Sequence, residues 1–363
     1  MDPVRIGLIG CGTISPAYLR AAATFDILHF AGCADIDPAA AARQEENFGV
    51  PAMSVDDLLG RDDVEVILNL TIPAAHGAVN LAALEAGKHA YCEKPFGLDV
   101  AEGQRVLEAA DAAGLRVGCA PDTFLGGGHQ TVRGLVDAGA IGTPVAATAF
   151  MMGPGHEAWH PNPGFYYQPG GGPLFDMGPY YLTALVHALG PVRRVAAITT
   201  RSRDTRTIGS EPRRGESIDV EVDTHTAGTL EFVSGVVATV VMSFDVCLHS
   251  NRFIEIHGVD ASLSAPDPNT FGGVVRVSSG REWKDRALSH GYTDNMRSIG
   301  LADMCVGIRT GREHRCNGWL AHHILEIMAA FGRSSTEGRH IELASRPHRP
   351  APFPTGLAHG ELD

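Results

Sequence analysis

The sequence predicts two successive units: a parallel α/β sheet covered by helices, then a larger α+β unit built on an antiparallel sheet. Three observations predict this. An apolar run from Val4 to Ile9 ends directly in glycines. Strand-like and helix-like stretches then alternate at close spacing to about residue 122, the mark of a parallel sheet wrapped by helices. Beyond that point a Gly/Pro-rich loop and a series of alternating segments read as antiparallel strands with one buried face. The units fall at residues 1–122 and 123–363.

The first element is the strand Val4 to Ile9, followed by Gly10-Cys11-Gly12-Thr13-Ile14-Ser15 and a helix from Pro16 to Ala23. Gly10 permits a tight turn, and Gly12 has no side chain to keep an anion from the backbone. Free N–H groups around Thr13 and Ile14, with the positive end of the helix dipole, then face a pyrophosphate. Ser15 stands where Gly or Ala is usual. The next strand, Ile27 to Ala34, ends in Asp35. A carboxylate there meets an adenosine ribose and repels a 2′-phosphate. This reads as a dinucleotide site that prefers NAD to NADP.

Asp37 and Pro38 open a helix through Phe48, as N-cap and first helical residue. Val55 to Leu59 is a short helix, and Val64 to Leu70 a strand ending at Thr71-Ile72-Pro73. A helix from His76 to Ala86, a strand from His89 to Cys92, a helix from Val100 to Ala113 and a strand from Leu115 to Cys119 complete the first unit. The second opens with a helix, His129 to Ala138, and a strand, Val145 to Met152. After the loop Gly153 to Pro173 come a helix, Pro179 to Leu189, and strands at Val192–Thr199, Thr226–Val233, Gly235–Phe244 and Arg252–Gly258. Late helices are expected at Met296–Arg309 and Trp319–Phe331.

Composition narrows the function classes. A net charge of −13 without basic runs argues against a nucleic-acid partner. No apolar stretch reaches spanning length, and no signal-like start is present, so no membrane role is expected. Seven cysteines without a CxxC pair suggest reduced thiols in a cytoplasm and no structural zinc.

Three stretches carry chemistry. Glu93-Lys94-Pro95 lies just past a strand, at the carboxyl edge of the sheet where ligands of open α/β folds bind. An ammonium there can favour an alkoxide as hydride leaves. In Gly170 to Tyr181, Pro179 is expected in the first helical turn. Asp176 then falls near the N-cap, with Tyr180 one turn on and on the same face. The loop Gly155-His156-Glu157-Ala158-Trp159-His160, followed by Tyr166, Tyr167 and Gln168, suits a polyol: rings cover C–H faces while polar tips bond hydroxyls. Trp159 and His160 are its candidate substrate contacts. His156 and His160 lack a convincing metal spacing.

Taken together, Gly10-Cys11-Gly12, Asp35, Thr71-Ile72-Pro73 with His76, Ala86-Gly87-Lys88-His89, Glu93-Lys94-Pro95, and Gly170-Gly171-Gly172 with Asp176 and Gly178 resemble the glucose–fructose oxidoreductase / inositol dehydrogenase / rhizopine catabolism (Gfo/Idh/MocA) family over residues 4 to about 345. The resemblance implies a Rossmann domain followed by a large, open, mainly antiparallel sheet whose face forms a homodimer or homotetramer interface. It implies direct hydride transfer without metal, with Lys94 catalytic, Glu93 and Pro95 flanking the nicotinamide, and Asp176 on the substrate. Thr71, Pro73 and His76 would join the cofactor site. The family's Asp-x-Gly-x-His motif carries Tyr180 in place of its acid/base histidine here. Then either Lys94 lowers the pKa of Tyr180, or Lys94, Asp176 or a loop histidine takes over proton transfer, or catalysis is lost. The expected activity is oxidation of a secondary alcohol of a sugar, glycoside or cyclitol, or the reverse. A non-catalytic dinucleotide or sugar sensor on the same fold is the alternative.

Overall fold

The computed structural model describes residues 1–363. The first sheet is fully parallel, built from β1 (Val4–Ile9), β2 (Leu28–Ala34), β3 (Val66–Asn69), β4 (His89–Cys92) and β5 (Val117–Cys119) in the order β2-β1-β3-β4-β5. Beyond β2 the chain adds one rudimentary rung, where Cys33 exchanges main-chain bonds with Pro51 and Met53 at 2.8 and 3.0 Å. Counting that rung, the spatial order is 3-2-1-4-5-6, the doubly wound dinucleotide-binding arrangement. The strand order reverses between β1 and β3, so the crevice for a ligand lies over the glycine turn.

Helices α1 (Ser15–Ala22), α2 (Pro38–Phe48), α3 (Val55–Leu59), α4 (His76–Glu85) and α5 (Val100–Ala113) connect these strands. Their ends follow local chemistry. Asp37 caps α2 by accepting from Ala39 N at 3.0 Å, Pro38 stands in the first turn, and Gly49 closes the helix at φ +69°. Asp99 caps α5 through Glu102 N at 2.7 Å. Every residue of β3 is buried because helices cover both faces.

The chain then forms α6 (Gly127–Asp137), β6 (Pro144–Met152), α7 (Gly172–Leu189), β7 (Val192–Thr200) and the small hairpin β8 (Thr205–Thr207) with β9 (Ser217–Asp219). Strands β10 (His225–Phe232), β11 (Val237–Ser243), β12 (Ile254–Gly258), β13 (Ser262–Ala265), β14 (Val275–Ser278) and β15 (Lys284–Arg286) follow. Last come α8 (Ile299–Thr310), α9 (Gly318–Glu337) and β16 (Ile341–Glu342). The large sheet has nine strands, β15-β14-β13-β12-β6-β11-β10-β7-β16. All its pairings are antiparallel except β6 with β11. Helices α6, α7 and α9 cover one face; on the other, Ile198 and Val237 stay exposed.

Two departures from expectation matter. The central helix begins at Gly172, not at Pro179, and Pro173 is its first-turn proline. Pro179 therefore sits inside the helix, where it withdraws an N–H from the turn that carries Asp176. Strands β8, β9 and β13 to β16 leave no sequence signal because each is only two to four residues long, too short for a period of two to stand out. The late helices also return to the first sheet: Cys119 N donates to Cys316 O at 3.0 Å, and Gly118 bridges to Asn317.

Candidate active site

The glycine turn is shaped for an anion. Gly10 holds φ +98°, and a Cβ there would lie 2.5 Å from the Leu70 carbonyl carbon. Around Gly12 a Cβ would meet nothing within 4 Å, leaving open space beside the backbone. The N–H groups of Gly12, Thr13 and Ile14 have no acceptor within the chain, while Ser15 turns its hydroxyl back onto Gly12 O at 2.8 Å. Asp35 closes the far side. Its carboxylate accepts Cys11 N at 2.7 Å and Asp37 N at 2.9 Å, which fixes it against the turn. Ile36 and Ile72, at 97% and 69% exposure, flank the same edge with apolar surface that the protein itself leaves uncovered. These groups fit a dinucleotide.

Thr71 and Pro73 stand half-buried at the end of β3, with the Thr71 hydroxyl on Asn69 Oδ1 at 2.6 Å. His76, expected at the cofactor, is wholly buried instead. Its ring nitrogens lie 2.7 Å from Pro95 O and 3.0 Å from Thr71 O, and burial pushes the imidazole towards its neutral form. The neutral ring carries one N–H and so donates to only one of these two carbonyls, while its packing fills the space between the Thr71 turn and Pro95. Glu93 is braced too, accepting Tyr18 Oη at 2.8 Å and Lys94 N at 2.9 Å.

Lys94 crosses from the first unit to α7. Its Nζ donates to the Asp176 carboxylate at 2.9 Å and to the Asp176 main-chain carbonyl at 2.7 Å. It also lies 5.2 Å from the centre of the Tyr180 ring, within cation–π range. Burial opposes the charge on Lys94, but Asp176, Tyr180 and Glu93 outweigh it and hold the ammonium protonated well above its ordinary range. Burial likewise works against the Asp176 carboxylate, yet Lys94 and His156 bring it down to about 2. For Tyr180 burial wins. Lys94 and Arg297 pull the phenol down without cancelling the loss of solvent, so it titrates above its ordinary value. The expected lowering by Lys94 is present, and burial outweighs it.

The loop after β6 supplies one histidine, though not the expected one. His156 Nε2 lies 3.1 Å from Asp176 Oδ2. His160 turns away: its Nδ1 accepts Asn162 N at 3.1 Å and its ring packs on Phe165 and Tyr166. Trp159 is 61% exposed at the rim, edge-on to both histidines. Tyr166 joins the cluster, pushed up to about 12 by burial and by the Asp176 charge. Arg297, from the segment before α8, faces the Tyr180 phenol. No local pattern announces Arg297, because only the fold brings it more than a hundred positions back to α7.

The comparisons agree with this architecture. Residues 4–120 match the profile described as "Oxidoreductase family, NAD-binding Rossmann fold", and residues 129–264 match the GFO/IDH/MocA C-terminal domain. An uncharacterized oxidoreductase of Rhizobium meliloti is 30% identical over 74% of this chain and 76% of its own. A 1,5-anhydro-D-fructose reductase of Ensifer adhaerens is 28% identical over 71% of this chain and 74% of its own. An inositol 2-dehydrogenase of Saccharopolyspora erythraea is 34% identical over 42% and 46%. Among solved structures, an aldose-aldose oxidoreductase from Caulobacter crescentus shares the fold at TM-score 0.80 and 23% identity, covering 94% of this chain and all of the other. The matched profiles span both units, and the chain belongs to the Gfo/Idh/MocA family of NAD-binding oxidoreductases.

Proposed function

We propose that the protein is an NAD-dependent dehydrogenase that interconverts a secondary alcohol and a ketone on a sugar, glycoside or cyclitol. One observation carries the reading. Lys94 stands at the carboxyl edge of the first sheet with two of its three N–H bonds spent on Asp176 and the third free for a substrate oxygen. The bound nicotinamide supplies a hydride acceptor. Everything else is this chain's own work. Lys94 stabilises the negative charge that grows on the oxygen as the C–H bond breaks. Asp176 fixes the ammonium, and Tyr180 forms the floor beneath it and offers its phenol to a neighbouring hydroxyl. Trp159 and Tyr166 present ring faces to the C–H surface of a polyol. The names of the relatives, which act on anhydrofructose and inositol, support this substrate class.

NAD is preferred because Asp35 meets a 2′-phosphate with like charge, and Ile36-Asp37-Pro38 provides no arginine to receive one. The exposed apolar face of the nine-stranded sheet supports pairing of two or four copies through it. A panel of sugars and inositols, offered with NAD and with NADP and followed by absorbance of the reduced nicotinamide, tests the function. Turnover of a polyol with NAD is expected. Binding of NADH without turnover of any member would favour a sensor.

A further inference from the structure

We infer that Arg297 receives a carboxylate of the substrate, so that the alcohol oxidised at Lys94 belongs to a sugar acid. This rests on the dehydrogenase reading above and narrows its substrate class. Arg297 reaches the site from the segment before α8, and its guanidinium faces the Tyr180 phenol. The Lys94 ammonium lies 5.2 Å from the centre of the same ring. One phenol therefore separates the two cations, and a molecule of sugar size that meets one of them is within reach of the other.

The guanidinium carries a charge that the protein does not answer. Its Nη1 donates to Asn295 Oδ1 at 3.0 Å and its Nη2 to Asn269 Oδ1 at 2.9 Å, both neutral amides. No carboxylate oxygen of the chain comes within 4.0 Å of it. Every other arginine that the fold covers at least in part has such a partner, except Arg116, which spends itself on the Arg312 carbonyl at 2.6 Å. The acids that face Arg297 stand farther off and are engaged elsewhere. Glu93 accepts Tyr18 Oη and Lys94 N, and Asp122 accepts Ser298 N and Gly300 N. A guanidinium offers five N–H groups. The two amides and the phenol leave two of them, one for each oxygen of a carboxylate.

The backbone is committed to this placement. Ser298 is wholly buried and holds φ +125°, a conformation that L side chains rarely adopt and that persists only where its surroundings enforce it. Its N donates to Asp122 Oδ2 at 3.0 Å and its Oγ to Tyr18 O at 2.9 Å, which pins the turn to α1 and to the end of the first sheet. Across the cleft, Thr123 Oγ1 donates to Pro268 O at 2.7 Å and seats the loop that carries Asn269. Amides hold the guanidinium without neutralising it, as suits a group that must offer its charge to an arriving molecule. The cofactor's diphosphate is the other anion in the cleft, and it has its own cradle in the free N–H groups of Gly12, Thr13 and Ile14. Arg297 stands instead beside Tyr180, at the reacting end. A neutral sugar leaves this cation unpaired and desolvated, which makes the site selective.

The test uses the NAD-loaded full chain as parent, Arg297→Met and Arg297→Lys, with melting curves and NADH fluorescence as checks on fold and cofactor cleft. Substrates are offered in pairs of matching stereochemistry: glycosides against the corresponding uronic acid glycosides, and alditols against aldonic acids. The parent should favour an acid over its neutral partner by about a hundredfold in kcat/KM. In Arg297→Met that ratio should fall towards one, chiefly through the KM of the acid. Arg297→Lys keeps the charge without the planar fork and should retain part of the ratio. Both variants should bind NADH like the parent. A parent that oxidises neutral sugars as well as their acids overturns the assignment alone, and needs no variant. So does an Arg297→Met protein that keeps the preference for acids, as a mere brace for Tyr180 would. One that folds but loses NADH puts the guanidinium on the cofactor's diphosphate, and overturns it too. A parent that binds NADH and oxidises no member of either series overturns the dehydrogenase reading, and the assignment with it.

Discussion

Replacing Lys94 with Met separates chemistry from stability. Methionine fills most of the lysine stem's volume, so the change removes a charge and leaves little cavity. The buried Asp176 carboxylate then keeps only His156 as partner. In the parent, a carboxyl held at about 2 against an ordinary value of 3.8 corresponds to about 2 kcal/mol of folding stability. Because the folded-state pKa is depressed, that stability is complete above about pH 5 and drains away as pH falls from about 4 towards 2. A chain of 363 residues has an unfolding entropy near 0.76 kcal/mol/K, at about 2.1 cal/mol/K per residue. Lys94→Met should therefore melt about 3 °C below the parent at neutral pH, with the gap closing in acid. Its kcat should fall about a hundredfold to ten-thousandfold. The double variant Lys94→Met/Asp176→Asn leaves no orphaned charge, so it should recover the melting temperature without the activity. Melting curves of the three proteins between about pH 2 and pH 8 decide the matter. A Lys94→Met protein that melts with its parent at neutral pH, or turns over like it, would refute the reasoning.

Asp35→Ala should raise NADP affinity relative to NAD by about tenfold or more, about 1.4 kcal/mol per decade, with NAD binding retained; calorimetric titration of both cofactors measures it. Gly10→Ala should abolish dinucleotide binding, since a Cβ there runs into the Leu70–Thr71 backbone and the φ of +98° disfavours any side chain; fluorescence titration with NADH reads the loss. Asp122, pushed up to about 6 by burial, contributes stability that is complete below about pH 4 and lost as pH rises through about 6. Asp122→Asn, whose amide oxygen can still accept Ser298 N and Gly300 N, should therefore melt higher than the parent at neutral pH and not in acid. Tyr180→Phe should fold normally and lose part of its kcat, because the ring stays under Lys94 while the hydroxyl is gone.

The first sheet was legible because its signals are local. A glycine turn after an apolar run, Asp37 before Pro38 and Gly49 after Phe48 each state their own backbone geometry. The site was legible only in part. Lys94, Asp176 and Tyr180 sit in motifs, and the structure brings all three together. His76 misled because a histidine beside a ligand loop and one bracing that loop look alike in sequence; only its complete burial tells them apart. That His156 and not His160 reaches Asp176 shows only in the folded loop, because the two histidines lie among the same aromatic residues in sequence. Pro179 misled for a physical reason: a proline normally marks a helix start, and here the helix runs through it.

The strap from Cys316 to Asn317 along β5 has a consequence for how separable the two units are. It pairs with an edge that the first unit cannot satisfy by itself, and the helices on either side of it pack on the same sheet. Residues 1–122 expressed alone would expose an unpaired parallel edge and the apolar surface beneath α8 and α9, an invitation to aggregate. The two halves are thus modular in sequence and inseparable in folding. Residues 1–122 and 123–363 produced together as two separate chains should form a complex that holds together under native conditions, and neither should survive purification by itself.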